Sequence, residues 1–262
     1  MKLSDLKGKQ VHFIGIGGSG MSGLARIAIS HGIKVSGSDA SDSSVLDALR
    51  ALGATIFIGH DAKNIAGADL IVYSNAIKSQ NPERTAAVNS GKPEITRARA
   101  LAILMSESTS IAIAGTHGKT TTSSMATVAL QSAGVDPSFA IGGVLKSSGS
   151  NAHRGSGKYF IAEADESDGS FVAYHPHAAI ITNVEWDHVD HFESEAEVFK
   201  AFDDFVQTIS GFLVFCADDN GAKQVAAKSK VKTLSYGKSE GRSEEHTSEL
   251  QSLRHLVCRL LL

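Results

Sequence analysis

The stretch that most constrains this chain runs Ile111-Ala112-Ile113-Ala114-Gly115-Thr116-His117-Gly118-Lys119-Thr120-Thr121-Thr122. An apolar run, a turn with two glycines and a polar, threonine-rich start read as buried strand, tight turn and helix N-terminus. A helix start offers unpaired N–H groups and the positive end of its dipole. Lys119 adds a full charge, and the Thr120 hydroxyl is a ligand for magnesium. Gly115, Thr116, His117, Gly118, Lys119, Thr120 and Thr121 therefore form a candidate cradle for a nucleotide polyphosphate. The match to G-x-x-x-x-G-K-[ST] is partial, because the first glycine would fall at Ile113. A plain strand–helix turn with a surface lysine would use the same residues.

A second glycine loop lies upstream. Val11-His12-Phe13-Ile14 is a short β-rich run, followed by Gly15-Ile16-Gly17-Gly18-Ser19-Gly20 and then by Met21 to Ala28, with Leu24, Ile27 and Ala28 at helical spacing. Strand, G-x-G-x-x-G and helix read as a nucleotide-binding βα unit, the alternative being a structural strand–helix turn with an unrelated acidic residue after it. The next strand, around Ile33 to Val35, leads to Asp39, where such a unit places the carboxylate for a ribose hydroxyl. Residues alone do not say which nucleotide. An NAD enzyme would use the same loop and would leave the second phosphate loop without a role.

Between and after these loops the βα alternation continues. Val45 to Leu52 reads as helix, and Ala54 to Ile58 and Leu70 to Tyr73 as strands. Asn81-Pro82-Glu83 reads as a helix start with Pro at the first helical position, and Arg97 to Met105 as helix. The polar run Ser106 to Ser110 suggests a domain junction. After the phosphate loop come a helix to about Ala133, a turn at Asp136-Pro137 and a loop from Lys146 to Gly157. The strand Tyr159 to Ala162 and the strand Ala178 to Thr182 follow. Glu195 to Ile209 reads as a helix with a core-facing aromatic stripe, followed by strand Phe212 to Cys216, helix Asn220 to Lys228 and strand Val231 to Tyr236. The expected class is α/β with parallel sheets covered on both faces.

Two polar clusters follow strand ends. Glu163-Ala164-Asp165-Glu166-Ser167-Asp168 gathers four carboxylates just past a strand, and Asn183-Val184-Glu185-Trp186-Asp187-His188-Val189-Asp190-His191 gathers three carboxylates and two histidines. Each is either a solvated loop or part of a metal site at the sheet's carboxyl edge.

Composition narrows the partners. The 262 residues are 42 % hydrophobic and 20 % charged with a net charge of −3, which gives no electrostatic footprint for nucleic acid or an anionic membrane. The two cysteines, Cys216 and Cys258, make no disulfide framework or metal-ligand spacing. The N-terminus, Met1 to Gln10, lacks a signal peptide's apolar core, and no apolar run is long enough to span a bilayer. A cytoplasmic protein without nucleic-acid, membrane or protein partners is expected.

Taken together and in this order, the motifs resemble the Mur ligases of peptidoglycan synthesis. The resemblance runs from about Leu6 to Gly237 and rests on Gly15 to Gly23, Gly37-Ser38-Asp39, Ala114 to Thr122, Asn151-Ala152-His153, Glu163 to Asp168 and Asn183 to His188. It implies an N-terminal Rossmann-like UDP-sugar domain over 1–106, in which Gly15, Gly17, Gly18, Ser19, Gly20, Met21 and Asp39 bind UDP, with Asn151 and His153 as substrate-side contacts. It implies a partial P-loop α/β central domain over 107–238 that binds ATP at Gly115 to Thr121. Lys119, Glu166 and His188 would be catalytic, and Thr120, Glu166 and His188 would hold magnesium. The cosubstrate and metal would be ATP and Mg2+. The substrates would be UDP-N-acetylmuramate and L-alanine, because Ser167 stands where the tripeptide-adding relatives usually have Tyr.

The family's third domain and its late G-x-H-N motif have no counterpart in the chain. The resemblance ends after Tyr236-Gly237-Lys238. Arg242 to Ser252 matches one reading frame of a widely used sequencing adapter, so 239–262 is set aside as a non-native tail, the alternative being an amphipathic tail with Leu253, Leu256, Val257, Leu260 and Leu261 at helical spacing. A chain lacking the third domain is expected to bind its nucleotides without turnover.

Overall fold

The computed structural model describes residues 1–167, 169–187 and 192–238. The chain divides into two compact units, one of Met1–Glu107 with Ser150–Arg154, the other of Ser108–Gly149 with the chain from Gly155 onward.

In the first unit, β1 (Gln10–Ile14), α1 (Ser19–Ser30), β2 (Lys34–Asp39), α2 (Ser44–Ala51), β3 (Thr55–Ile58) and β4 (Leu70–Tyr73) follow in order, then α3 (Pro82–Asn89), β5 (Glu94–Thr96) and α4 (Arg97–Met105). The five strands pair in parallel in the order β3-β2-β1-β4-β5. The chain runs outward to β3 and then crosses back to β4. This reversal opens a crevice at the carboxyl end of β1, where the glycine loop begins. β1 is buried on both faces from Val11 to Ile14, as an inner parallel strand must be. Asn81 caps α3 by accepting from Glu83 N at 2.9 Å, with Pro82 at the first helical position.

The second unit contains β6 (Thr109–Ala114), α5 (Lys119–Ser132), β7 (Ser138–Leu145), β9 (Tyr159–Glu163), β10 (Ala178–Ile181), α6 (Glu195–Val206), β11 (Phe212–Cys216), α7 (Asn220–Ala226) and β12 (Lys232–Tyr236); β8 (Ser150–His153) groups with the first unit. Within this unit the sheet order is β12-β11-β10-β6-β9-β7, with β6 paired in parallel to β9 and β10. Ile111 and Ile113 of β6 pack with Ala126 and Leu130 of α5 and with Phe139, Ile161 and Ile180. The aromatic stripe of α6 is packing: Phe202 and Phe205 lie 5.2 and 4.7 Å from the ring of Phe171.

Three strands depart from the sequence reading. β5 is three residues long, too short to show alternation. β7 carries Gly142-Gly143 in its middle, which weakens its strand pattern. β8 falls inside the expected loop Lys146 to Gly157, because Ser-Asn-Ala-His has no apolar repeat to announce it. β6 also begins at Thr109, inside the run read as a junction. The proposed tail, 239–262, lies outside the described residues.

Candidate functional site: two glycine loops

The loop after β1 is held from three sides. Gly15 N and Ile16 N both donate to the carbonyl of Ser38, at 2.8 and 3.0 Å. Gly17 N donates to Asp39 Oδ2 at 2.8 Å. A Cβ on Gly17 would sit 2.8 Å from that same oxygen, so only glycine lets the loop close on the carboxylate. Ser19 opens α1, and its carbonyl accepts from Asn151 Nδ2 at 2.9 Å. The structure thus brings Gly15, Gly17, Gly18, Ser19, Gly20, Asp39 and Asn151 together. Met21 is buried in the core beneath them, and His153 is exposed.

One residue at this loop was not foreseen. Arg97, the first residue of α4, places Cδ and Nη1 3.2 and 3.3 Å from where a Cβ on Gly20 would stand. A guanidinium at the mouth of a glycine loop supplies the cation that the loop lacks. Its sequence position, some 80 residues after the loop, gave no pattern by which to find it.

Deeper in the same unit lies a polar network. The Glu83 carboxylate is fully buried. Burial alone would raise its pKa, but the nearby His12 ring and the hydrogen bonds from Ser38, Asn64 and His60 outweigh burial and carry it down to about 2.

The loop after β6 is built differently. Gly115 has φ +137°, and a Cβ there would lie 2.0 Å from Thr182 Oγ1. Gly118, at φ +81° and ψ 2°, is the residue from which α5 starts. The loop is laced to the end of β10. Thr182 Oγ1 donates to His117 O at 2.7 Å, Asn183 Oδ1 accepts from His117 N at 2.8 Å, and Glu185 N donates to Thr116 Oγ1 at 2.9 Å. His117 and Glu185 also approach to 3.9 Å, but both are well exposed and the pair adds little. Trp186, the next residue, is 54 % exposed.

Lys119 Nζ donates to Gly115 O at 2.8 Å, Thr116 O at 3.1 Å and Glu166 Oε1 at 2.7 Å. Glu166 is buried, and burial pushes its pKa up while the Lys119 ammonium pulls it back in part. Thr120 Oγ1 donates to Glu163 Oε1 at 2.9 Å, and Glu163 Oε2 accepts from Gly142 N at 2.6 Å. Glu163 is the last residue of β9, at the sheet's carboxyl edge. That position was the available pointer to it, among four carboxylates in one run.

The donor set fits a nucleotide polyphosphate with magnesium. The amides of Lys119, Thr120 and Thr121 open α5, where no helical carbonyl precedes them. Lys119 brings the charge. Thr120 and Glu163 offer two hard oxygen ligands side by side, the share a protein contributes when phosphates and water complete an octahedron. Among the described residues no group of three His, Cys, Asp or Glu side chains could hold a metal without such help. His188, expected to be catalytic and a magnesium ligand, lies outside the described residues, as do Asp168, Asp190 and His191.

Two family models match the chain. The Mur ligase family catalytic domain matches residues 10–109, and the Mur ligase middle domain matches residues 113–257, reaching into 239–262. The chain belongs to the Mur ligase family. Its similarity is strong to the UDP-N-acetylmuramate–L-alanine ligase of Renibacterium salmoninarum, 50 % identical over 245 residues, covering 91 % of this chain and 52 % of that protein. The protein of the same name from a Nocardioides species is 51 % identical over 224 residues, covering 85 % of this chain and 50 % of its own. The chain therefore spans about half the length of the curated relatives it matches. Among solved structures, the UDP-N-acetylmuramate:L-alanyl-gamma-D-glutamyl-meso-diaminopimelate ligase from Neisseria meningitides superposes with a TM-score of 0.80 at 33 % identity, over 87 % of this chain and 77 % of that one. The UDP-N-acetylmuramate–alanine ligase from Thermotoga maritima gives 0.77 at 29 % identity, over 88 % and 53 %. No described helix is long and apolar enough to cross a membrane.

Proposed function

We propose that the chain forms the UDP-sugar-binding and ATP-binding parts of a cytoplasmic ligase that joins L-alanine to the lactyl carboxylate of UDP-N-acetylmuramate. The observation that carries this reading is the second loop, where a lysine, a threonine and a carboxylate converge at a helix start. Relatives at about half identity that bear the alanine-adding name support the choice of acceptor.

The chemistry asks for an anionic carboxylate to meet an anionic phosphate. ATP with magnesium would supply the phosphoryl group that activates the carboxylate as an acyl phosphate, which the amine of L-alanine then attacks with loss of phosphate. Lys119 would leave Glu166 for the β- and γ-phosphate oxygens, offsetting charge where the two anions meet. Thr120 and Glu163 would hold the metal, with His188 as a further ligand. Glu166 takes the place of an anchor that keeps Lys119 over the loop. The amides of Gly118 to Thr121 would orient the phosphates in line with the attacking oxygen. On the other unit, Asp39 would accept from a ribose hydroxyl, and Arg97 with the amides that open α1 would face the pyrophosphate.

Calorimetry on this chain tests the reading. UDP-N-acetylmuramate should bind without metal, and ATP should bind only with magnesium. Binding of NAD in preference to either would overturn it. Steady phosphate release with ATP, UDP-N-acetylmuramate and L-alanine would show turnover by this chain alone, against the expectation of binding only.

A further inference from the structure

The mechanism above makes no use of the buried Glu83. Among the described residues, no lysine or arginine is bonded to it. Its oxygens receive Ser38 Oγ at 2.6 Å, Asn64 Nδ2 at 2.7 Å and His60 Nδ1 at 3.0 Å, with His12 Nε2 at 3.6 Å. An ionised carboxylate only accepts, so the three bonded neighbours, Ser38, Asn64 and His60, must donate, while His12 Nε2 stands beyond hydrogen-bond distance.

That requirement sets the tautomer of His60. Its Nδ1 also lies 3.1 Å from Ser38 Oγ, whose one proton is already given to Glu83. The proton between ring and network therefore sits on Nδ1, so in its neutral form the ring has Nε2 as its acceptor. The ring is 21 % exposed, whereas Glu83 and His12 are fully enclosed.

The position of His60 gives this acceptor a use. Gly59 N donates to Asp39 O at 2.7 Å, so His60 leaves the carboxyl end of β3 directly beside the carboxyl end of β2. The glycine loop follows β1, Asp39 ends β2 and His60 follows β3, on three successive strands of one sheet. A nucleotide with its phosphates at the loop and its ribose at Asp39 carries its base outward to the third.

Resting on the reading that this edge binds UDP, we propose that Glu83 is a positioning residue for base recognition, holding His60 Nε2 as a hydrogen-bond acceptor for the N3–H of uracil. Cytosine has an acceptor at that position, so two lone pairs would face each other. A site built to accept from one group rejects the analogue that lacks the donor. The low pKa of Glu83 agrees with a permanently charged anchor.

The test compares UDP with CDP by calorimetry on the whole chain. The wild type should prefer UDP by about tenfold or more. His60→Ala should reduce that preference to about threefold or less, mainly through weaker UDP binding. Glu83→Gln can donate to Nδ1, which moves the ring proton to Nε2, so it should erase the preference likewise. Adding it to His60→Ala should change the ratio no further. Nitrogen NMR of the His60 ring in the unmodified chain provides a check that does not depend on variants folding: the proton should be on Nδ1. A proton on Nε2, or an unchanged UDP preference in His60→Ala, would overturn the proposal while leaving UDP binding in place. Equal losses for UDP and CDP in folded Glu83→Gln would also overturn it, as expected of a purely structural residue. If the wild type binds no uridine nucleotide, the site reading falls and this inference with it.

Discussion

The loop after β1 meets its carboxylate with a backbone amide, Gly17 N to Asp39 at 2.8 Å; the loop after β6 meets one with a side-chain cation, Lys119 to Glu166 at 2.7 Å. The first contact is fixed by the backbone and cannot be reassigned without refolding the turn. The second hangs on a flexible four-carbon stem and can be exchanged for a better anion. A loop that recognises a substrate gains from the first arrangement, because its donors and acceptors are set before binding. A loop that handles a transferring phosphoryl group gains from the second, because the charge can follow the phosphate. Under the proposed function, the same strand–glycine–helix motif would serve recognition in one unit and charge redistribution in the other.

The sharpest way to break this contrast is Gly115→Ala. The new methyl would overlap Thr182 Oγ1 at an unfavourable φ, and we expect a cost of about 3 kcal/mol or more. Thermal unfolding should show it, and Mg-ATP binding should vanish while UDP binding survives. Parallel loss of both would mean that the two loops are not independent.

Acid should separate the units next. Glu83 has its folded pKa lowered from 4.5 to about 2, so its stabilisation is complete above about 4.5 and fades as pH falls toward about 2. The loss is on the order of 3 kcal/mol and falls on the first unit. Glu166 behaves oppositely: its pKa is raised, so acidification relieves the cost of burying its charge. Peptide-resolved hydrogen exchange from pH 6 to pH 3, about the span of ordinary carboxylate titration, should show the β1–β4 region opening before β6 and α5. The reverse order would refute the assignment.

Lys119→Met should weaken Mg-ATP by about 100-fold and leave UDP unchanged, read by calorimetry. Asp39→Asn should do the converse on a smaller scale, costing UDP about tenfold and Mg-ATP nothing. Gly118→Ala should have the smallest effect, about 1 kcal/mol in unfolding, because its Cβ meets nothing within 4 Å and only the left-handed backbone objects. A Gly118→Ala penalty as large as that of Gly115→Ala would show that backbone conformation, and not the approach of Thr182, governs the loop.

What was legible in the sequence was what repeats or is punctuated. The two glycine loops, the Asn81-Pro82 helix start and the α6 stripe announce themselves by spacing or by a residue with a single conformational use. The strands β7 and β8 do not, one interrupted by glycines and the other wholly polar. At the sites, residues contiguous with a motif, and Asn151 through the resemblance, were named in advance, whereas Arg97 and Glu163 were not. Arg97 reaches Gly20 through the fold alone. Glu163 and Glu166 are three apart in one acidic run, and only the ends of β9 and α5 decide which one meets Thr120 and which meets Lys119. His60 and Glu83 acquire meaning only once β2 and β3 are side by side.

Trp186 is the sole tryptophan in the chain, and it follows directly on the residue that clasps Thr116 of the phosphate loop. The second unit therefore carries its own optical label, and the first carries none. Emission excited at the red edge of the aromatic band, where tyrosine is silent, should track occupancy and unfolding of the second unit alone. A titration with UDP that leaves this emission still, followed by one with Mg-ATP that moves it, would resolve the two halves in one cuvette without altering a residue.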